Sequence, residues 1–154
     1  MYEGTIKTVV REFKYGNNRG LARQLAELMV GELEIDRGCD VVTWVPMGRQ
    51  KQAQRGYNQA ELLGRALGKR LSVEAGSLIG LKRRLREQNS LPLSGREQNV
   101  KDAFEARADL HRLKIILADD VLTTGLTASA CSGVLKRAGA RAVNVITFAR
   151  APLG

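Results

Sequence analysis

Residues 115 to 127 read Ile-Ile-Leu-Ala-Asp-Asp-Val-Leu-Thr-Thr-Gly-Leu-Thr: an apolar run ends on two adjacent acids, and a Thr/Gly-rich turn follows. At the carboxyl end of a strand, Asp119 and Asp120 can accept hydrogen bonds from sugar hydroxyls or from metal-bound water. Thr123, Thr124, Gly125 and Thr127 stand where a turn aims backbone N–H groups and hydroxyls at a phosphate, with the Leu126 amide among them and a helix N-terminus behind. Strand, paired carboxylates, hydroxyl-rich turn and helix, in that order, are the parts from which an α/β protein builds a site for a phosphorylated sugar. The plainer alternative is a strand end with an Asx turn and a Ser/Thr-capped helix, which needs neither two acids nor three threonines.

A second polar group follows the apolar segment Val41 to Val45: Pro46-Met47-Gly48-Arg49-Gln50-Lys51-Gln52-Ala53-Gln54-Arg55-Gly56-Tyr57-Asn58-Gln59. Gly48 lets the backbone come close to a ligand, and Arg49 and Lys51 offer cations at the same strand edge. Arg55 can make bidentate contacts with a phosphate, or with a carboxylate that holds the loop. For Asn58 and Gln59, helix capping by Asn58 competes evenly with ligand contact. A third group, Lys82-Arg83-Arg84-Leu85-Arg86-Glu87-Gln88, is basic and without periodicity. Nucleophilic catalysis has no candidate set: His111, the only histidine, lies in a polar stretch, and no Ser/His/Asp or Cys/His arrangement stands out. Cys39 and Cys131 are far apart and form no CxxC pair, which argues against a zinc site or a disulfide framework. Cys131, on the apolar side of its helix, and Trp44, inside an apolar run, are expected in the core.

The elements that must carry these residues alternate. Residues 20 to 33 have Leu21, Leu25, Leu28 and Met29 at helical spacing, and residues 58 to 71 place Leu62, Leu63, Ala66, Leu67 and Leu71 on one side of a second helix. Strands are expected at Asp40 to Pro46, Leu113 to Ala118 and Ala142 to Phe148, and a helix from Thr127 to Ala138 stopped by Gly139. Ser94 and Glu97 make a capping box for a short helix running toward Phe104. Strands alternating with helices predict an α/β fold, a mainly parallel twisted sheet flanked by helices, with ligands at its carboxyl edge.

The polar positions Asp119, Asp120, Thr123, Thr124, Gly125 and Thr127 resemble the phosphoribosyl-pyrophosphate (PRPP) signature of the type I phosphoribosyltransferases. The one small departure is Ala118, where a larger aliphatic residue is expected. The run Arg55-Gly-Tyr-Asn-Gln59 after a strand ending in Val-Pro narrows the resemblance to the competence protein F (ComF/GntX) family. So do Phe13-Lys14-Tyr15 and the later Gln88, Leu93, Arg96, Asn99 and Ala103-Phe104. The resemblance implies a type I phosphoribosyltransferase fold, PRPP as ligand, Mg2+ as cofactor held through PRPP and water, and an acceptor base or amine that the residues do not name. It implies that Asp119 and Asp120 hold the ribose hydroxyls and that Thr123, Thr124, Gly125, Leu126 and Thr127 bind the 5-phosphate. Met47, Gly48, Arg49, Lys51 and Arg55 would receive the pyrophosphate, and Arg86 and Gln88 would belong to a flexible lid that shuts out water. Type I relatives are often dimers, so a homodimer is an expected arrangement. Many members of the ComF family carry an N-terminal four-cysteine zinc module; this chain lacks those cysteines, so residues 1–154 are expected to be the transferase-like domain alone.

Bulk properties fit that reading and open a rival one. The chain has 154 residues, 44% of them hydrophobic and 27% charged, enough for one domain with its own core. No apolar run is long enough to span a membrane, and no secretory core follows the first residues, which sets cytoplasm as the default. The net charge is +9, and the segment Arg49 to Arg86 holds ten basic residues against Glu61 and Glu74, a surplus of +8. Such a field attracts a polyanion, either several phosphates on a small molecule or nucleic acid. Arg65, Lys69 and Arg70 are expected on the solvated outer side of their helix. The rival is therefore a non-catalytic accessory of DNA uptake, competence or nucleotide sensing that binds PRPP or single-stranded DNA. Tyr57 is the only aromatic inside the basic segment for base stacking.

Overall fold

A computed structural model of the protein describes residues 8–9, 11–13, 19–33, 35, 38–82, 100 and 102–150. The apolar run before the two acids is its centre. Lys114–Leu122 forms a strand in which Ile115, Ile116, Leu117 and Ala118 are each at most 1% exposed, so neither face of the strand meets water. Burying such side chains contributes roughly 1.5–3 kcal/mol for each of the larger ones.

In chain order the elements are α1 (Leu21–Glu32), β1 (Val41–Trp44), α2 (Arg49–Arg55), α3 (Gln59–Leu71), β2 (Glu74–Ala75), β3 (Ile79–Leu81), β4 (Phe104–Ala106), β5 (Lys114–Leu122), α4 (Leu126–Arg137) and β6 (Ala142–Arg150). Four strands make a parallel sheet in the order β2-β1-β5-β6, and β3 and β4 make a small antiparallel pair. From β1 the chain moves outward to β2, and from β5 it moves outward the other way to β6. Right-handed crossovers then put α3 and α4 on opposite faces, so β1 and β5 flank the point where the winding reverses. At such a switch point the carboxyl ends of the strands diverge into a crevice.

The parallel sheet flanked by helices is the expected one, but several elements differ from the sequence reading. In α1 the buried stripe is Ala22, Leu25, Ala26, Met29 and Val30, while Leu28 is 55% exposed. Small residues on the inner side let the helix settle a little rotated from the leucine pattern. Residues 49–55, read as a basic loop, form helix α2 with no buried residue, because nothing apolar in Arg-Gln-Lys-Gln-Ala-Gln-Arg marks a face. Phe104, toward which a short helix was expected to run, starts strand β4 and pairs with Leu81. The capping-box residues Ser94 and Glu97 lie outside the described residues. Among the described residues, no helix is long and apolar enough to cross a membrane.

Helix α3 carries two glycines, Gly64 and Gly68, one turn apart and buried. A Cβ on Gly64 would stand 2.9 Å from Trp44 Cε3, and one on Gly68 would stand 2.7 Å from Ala75 Cβ and 3.1 Å from the Val73 carbonyl. The missing side chains allow α3 to lie close against β1 and β2, with Leu63 and Leu67 filling the space beside them. Gly68→Ala is therefore expected to destabilise the fold by about 1–3 kcal/mol. By contrast Gly31→Ala in α1, where an added Cβ meets nothing within 4 Å, should stabilise it by about 0.5–1 kcal/mol. Urea unfolding of the two variants reads both signs, and a tolerated Gly68→Ala would mean that α3 is not held against β2 as described.

Candidate functional site

Register sets the geometry of the site. β1 and β5 pair in parallel from Val41↔Ile115 to Trp44↔Ala118, and the Val45 N–H continues the ladder by donating to the Ala118 carbonyl at 3.0 Å. The segment after β1 consequently turns away beside the two acids that follow Ala118. Two adjoining cavities open there, of about 180 and 220 Å3. Val45, Asp119, Asp120 and Thr127 line both.

The acids lie inside the strand rather than beyond it. β5 was expected to end at Ala118, but it runs on to Leu122 because β6 is equally long and pairs with it from Lys114↔Ala142 to Leu122↔Arg150. Asp119 Oδ1 accepts the Asp120 N–H at 2.8 Å, and Asp120 Oδ1 accepts the Val121 N–H at 2.8 Å. Each carboxylate is thereby steadied by the backbone that follows it, and both are half-buried at the cavity wall.

Gly125, in the left-handed region at φ 78°, turns the chain from the strand into α4. The first cavity is lined on this side by Thr123, Gly125, Thr127 and Ala128, with Val121 and Leu122. Thr124 and Leu126 do not line it; the Leu126 N–H donates to Thr124 Oγ1 at 3.5 Å. The helix behind the turn runs for 12 residues and has no acid in its first turn.

The second cavity is lined by Pro46, Met47, Gly48, Lys51, Arg55, Asn58 and Ala60 besides the shared residues. Four of the five residues expected to receive a pyrophosphate are thus brought together; Arg49, at the start of α2, is exposed and away from the lining. The lid residues Arg86 and Gln88 lie outside the described residues, as do Lys14, Tyr15, Leu93, Arg96 and Asn99. Asn58 caps α3: its Oδ1 accepts the Ala60 N–H at 3.1 Å while its Nδ2 donates to the Val45 carbonyl at 3.0 Å. Tyr57 is 5% exposed and its hydroxyl donates to the Phe13 carbonyl at 2.8 Å, so it presents no free ring to a nucleobase. Trp44 is in the core, with the Arg65 guanidinium 4.9 Å from its ring centroid. His111 is exposed, and its backbone N–H is tied to Asp109 Oδ1 in a local turn.

Solved structures of phosphoribosyltransferases share this architecture. The glutamine PRPP amidotransferase of B. subtilis matches 90% of this chain with a TM-score of 0.65 at 18% identity, the match covering 30% of the amidotransferase chain. The adenine phosphoribosyltransferase of Thermoanaerobacter pseudethanolicus matches 86% of the chain, and 81% of its own, with a TM-score of 0.54 at 17% identity. The protein has the type I phosphoribosyltransferase fold. Within that class it is a homologue of competence protein F and its DNA-utilization relatives over almost its whole length. Competence protein F of Haemophilus influenzae is 28% identical over 97% of this chain and 70% of its own length, and DNA utilization protein YhgH of Salmonella typhi is 29% identical over 97% and 69%. Competence protein ComFC of Streptococcus pneumoniae is 28% identical, the match spanning 65% of its length. No family model matches the chain.

Cys131 on α4 is fully buried. Burial first, and then the Asp119 carboxylate, push its thiol from 9.0 up to about 12. The fold thus prefers the neutral thiol, so this contribution to stability is intact below about pH 9 and is lost as pH rises toward 12. Urea unfolding at pH 7.5 and 10.5 should show a larger alkaline loss for the wild type than for Cys131→Ala. Equal losses would mean that the thiolate is accommodated.

Proposed function

We propose that the paired cavities bind PRPP with Mg2+ and that the protein transfers the phosphoribosyl group to a nitrogen nucleophile, releasing pyrophosphate. One observation carries the reading: Asp119 and Asp120 stand between a hydroxyl-rich turn at a helix start and a wall bearing Lys51 and Arg55, all on adjoining cavities. That polarity suits a sugar with a phosphate at one end and a diphosphate at the other. The ribose 2- and 3-hydroxyls donate to Asp119 and Asp120. The 5-phosphate lies against Thr123, Gly125 and Thr127, with Thr124 and the Leu126 amide completing the turn. Pyrophosphate lies against Met47, Gly48, Lys51 and Arg55, with Arg49 adding charge from the helix start.

In the reaction the bond from the anomeric carbon to pyrophosphate breaks as a bond from nitrogen forms, and the proton lost by nitrogen passes to the departing pyrophosphate or to water. The chain's contribution is to orient the sugar and to balance charge as it moves onto the leaving group. Magnesium suits the donors present. Asp119 and Asp120, two carboxylates at the cavity wall, would hold through water an ion that keeps most of its own waters. When bound, it would neutralise charge on the departing pyrophosphate.

The DNA-utilization and competence names of the relatives favour a second reading, in which the domain serves DNA uptake and binds single-stranded DNA through its basic surface. The exposed Arg49, Lys51, Lys69, Arg70 and Lys82 support it, whereas Tyr57, the one aromatic of the basic segment, is buried and offers a base no platform. Salt separates the two, because binding to DNA falls steeply with salt while cavity binding requires magnesium.

Calorimetric titration of PRPP with Mg2+ into the wild type and into Asp119→Asn/Asp120→Asn tests the proposal. Binding by the wild type and at least about tenfold weaker binding by a folded variant are expected, since two charge-assisted hydrogen bonds are weakened. Equal affinity in the folded variant would refute the role of the acids.

A further inference from the structure

The parallel sheet ends differently on its two sides. β2, at one edge, is two residues long and begins on Glu74, a length and a charge that discourage further pairing. At the other edge β6 runs for nine residues, and from Ala142 to Ala149 it holds neither a proline nor a charge. Val143, Val145, Ile146, Thr147 and Phe148 give it strong strand character. Its inner side pairs with β5; among the described residues no strand pairs with its outer side, where N–H and C=O groups form an open ladder. Asn144 and Val145 point to opposite faces and are both exposed at mid-strand, Val145 by 40%. Positive charge gathers at the amino end. α4 finishes on Lys136 and Arg137, a short turn leads into Arg141, and the Arg112 N–H donates to the Gly139 carbonyl of that turn at 2.9 Å. All four basic residues are exposed, while the neighbouring acids Asp40 and Asp109 accept the Lys114 and His111 N–H groups.

We propose that β6 is a docking edge for an extended segment of a partner protein, which adds to the sheet as an antiparallel strand and carries acidic residues at its carboxyl end. The open ladder supplies main-chain hydrogen bonds, and a β-branched centre on the segment packs beside Val145. Antiparallel pairing lays the segment's carboxyl end against Arg112, Lys136, Arg137 and Arg141, where acids meet surplus cations. Charge selects this occupant over a second copy of the chain. Each copy carries +9, and antiparallel β6 strands would bring the Arg141 end of one to the Arg150 end of the other. The edge lies apart from the residues lining the two cavities, so the proposal stands independently of the PRPP reading.

The probe is the labelled peptide acetyl-Thr-Val-Thr-Val-Thr-Val-Asp-Asp-Asp, titrated into the full chain by fluorescence anisotropy, with hydrogen exchange followed by mass spectrometry. Binding is expected, together with slower exchange of the β6 amides. The same peptide with its threonines and valines N-methylated should not bind, because it can no longer complete the ladder. Moving the acids to the amino end should weaken binding, as should Arg141→Glu, by about fivefold, since an exposed ion pair becomes a like-charge contact. Arg141 is exposed, and circular dichroism checks that the variant folds. Failure of the first peptide to bind, or binding without slower exchange in β6, would overturn the proposal. Equal binding of the N-methylated peptide would also overturn it, because charge alone would then hold the peptide. So would a wild type that sediments as a dimer and a Val145→Lys variant that sediments as a monomer, since the edge would then be taken by a second copy.

Discussion

The site depends first on the register between β1 and β5. Because Trp44 pairs with Ala118 and the Val45 N–H reaches the Ala118 carbonyl at 3.0 Å, the chain leaves β1 at the height where β5 presents its two acids. A slip of one residue would turn Asp119 to the other face of the sheet and part it from Gly48 and Lys51. Much of the rest protects that pairing. Ile115 to Ala118 are buried on both faces, α3 lies close to β1 through Gly64 and Gly68, and Asn58 ties the start of α3 to the Val45 carbonyl. Residues behind the cavity, with Asn58 at its edge, thus hold its two walls together.

Electrostatics divide the cavities into three parts. The carboxylates sit at the centre, half-buried and steadied by the N–H groups of Asp120 and Val121. On one side a neutral turn offers hydroxyls and a helix start, and on the other Lys51 and Arg55 supply cations. A cavity lined by one sign of charge would attract one kind of ion. Acids set between a hydroxyl-lined turn and a cationic wall suit the ligand proposed above, whose middle donates hydrogen bonds and whose ends are anionic.

Much of this was legible in the sequence where local chemistry and long-range packing agree. The order of strand, two acids, hydroxyl turn and helix marked the first cavity, since each part is contiguous in the chain. The second wall was half legible. Met47, Gly48, Lys51 and Arg55 followed from the resemblance, but α2 was invisible, because Arg-Gln-Lys-Gln-Ala-Gln-Arg has no apolar face and is helical only by propensity. The length of β5 was misjudged for a different reason. Asp119 and Asp120 are poor strand formers, and only pairing with the nine-residue β6 keeps them extended. The hydrogen bond from Arg55 to Gln59 could have been found from its spacing: with Asn58 as cap, Gln59 stands four residues after Arg55 on the first turn of a helix, within reach of the guanidinium. The rotation of α1 and the burial of Tyr57 depend on distant partners that no local pattern announces.

The most direct measurement is a crystal structure of the protein grown with PRPP and Mg2+. The account predicts density for the ligand across both cavities, its ribose hydroxyls on Asp119 and Asp120, the 5-phosphate at the turn from Thr123 to Thr127, and the pyrophosphate beside Gly48, Lys51 and Arg55. A structure at saturating ligand in which the two acids contact no sugar, or in which the ligand lies on the outer basic surface, would contradict it.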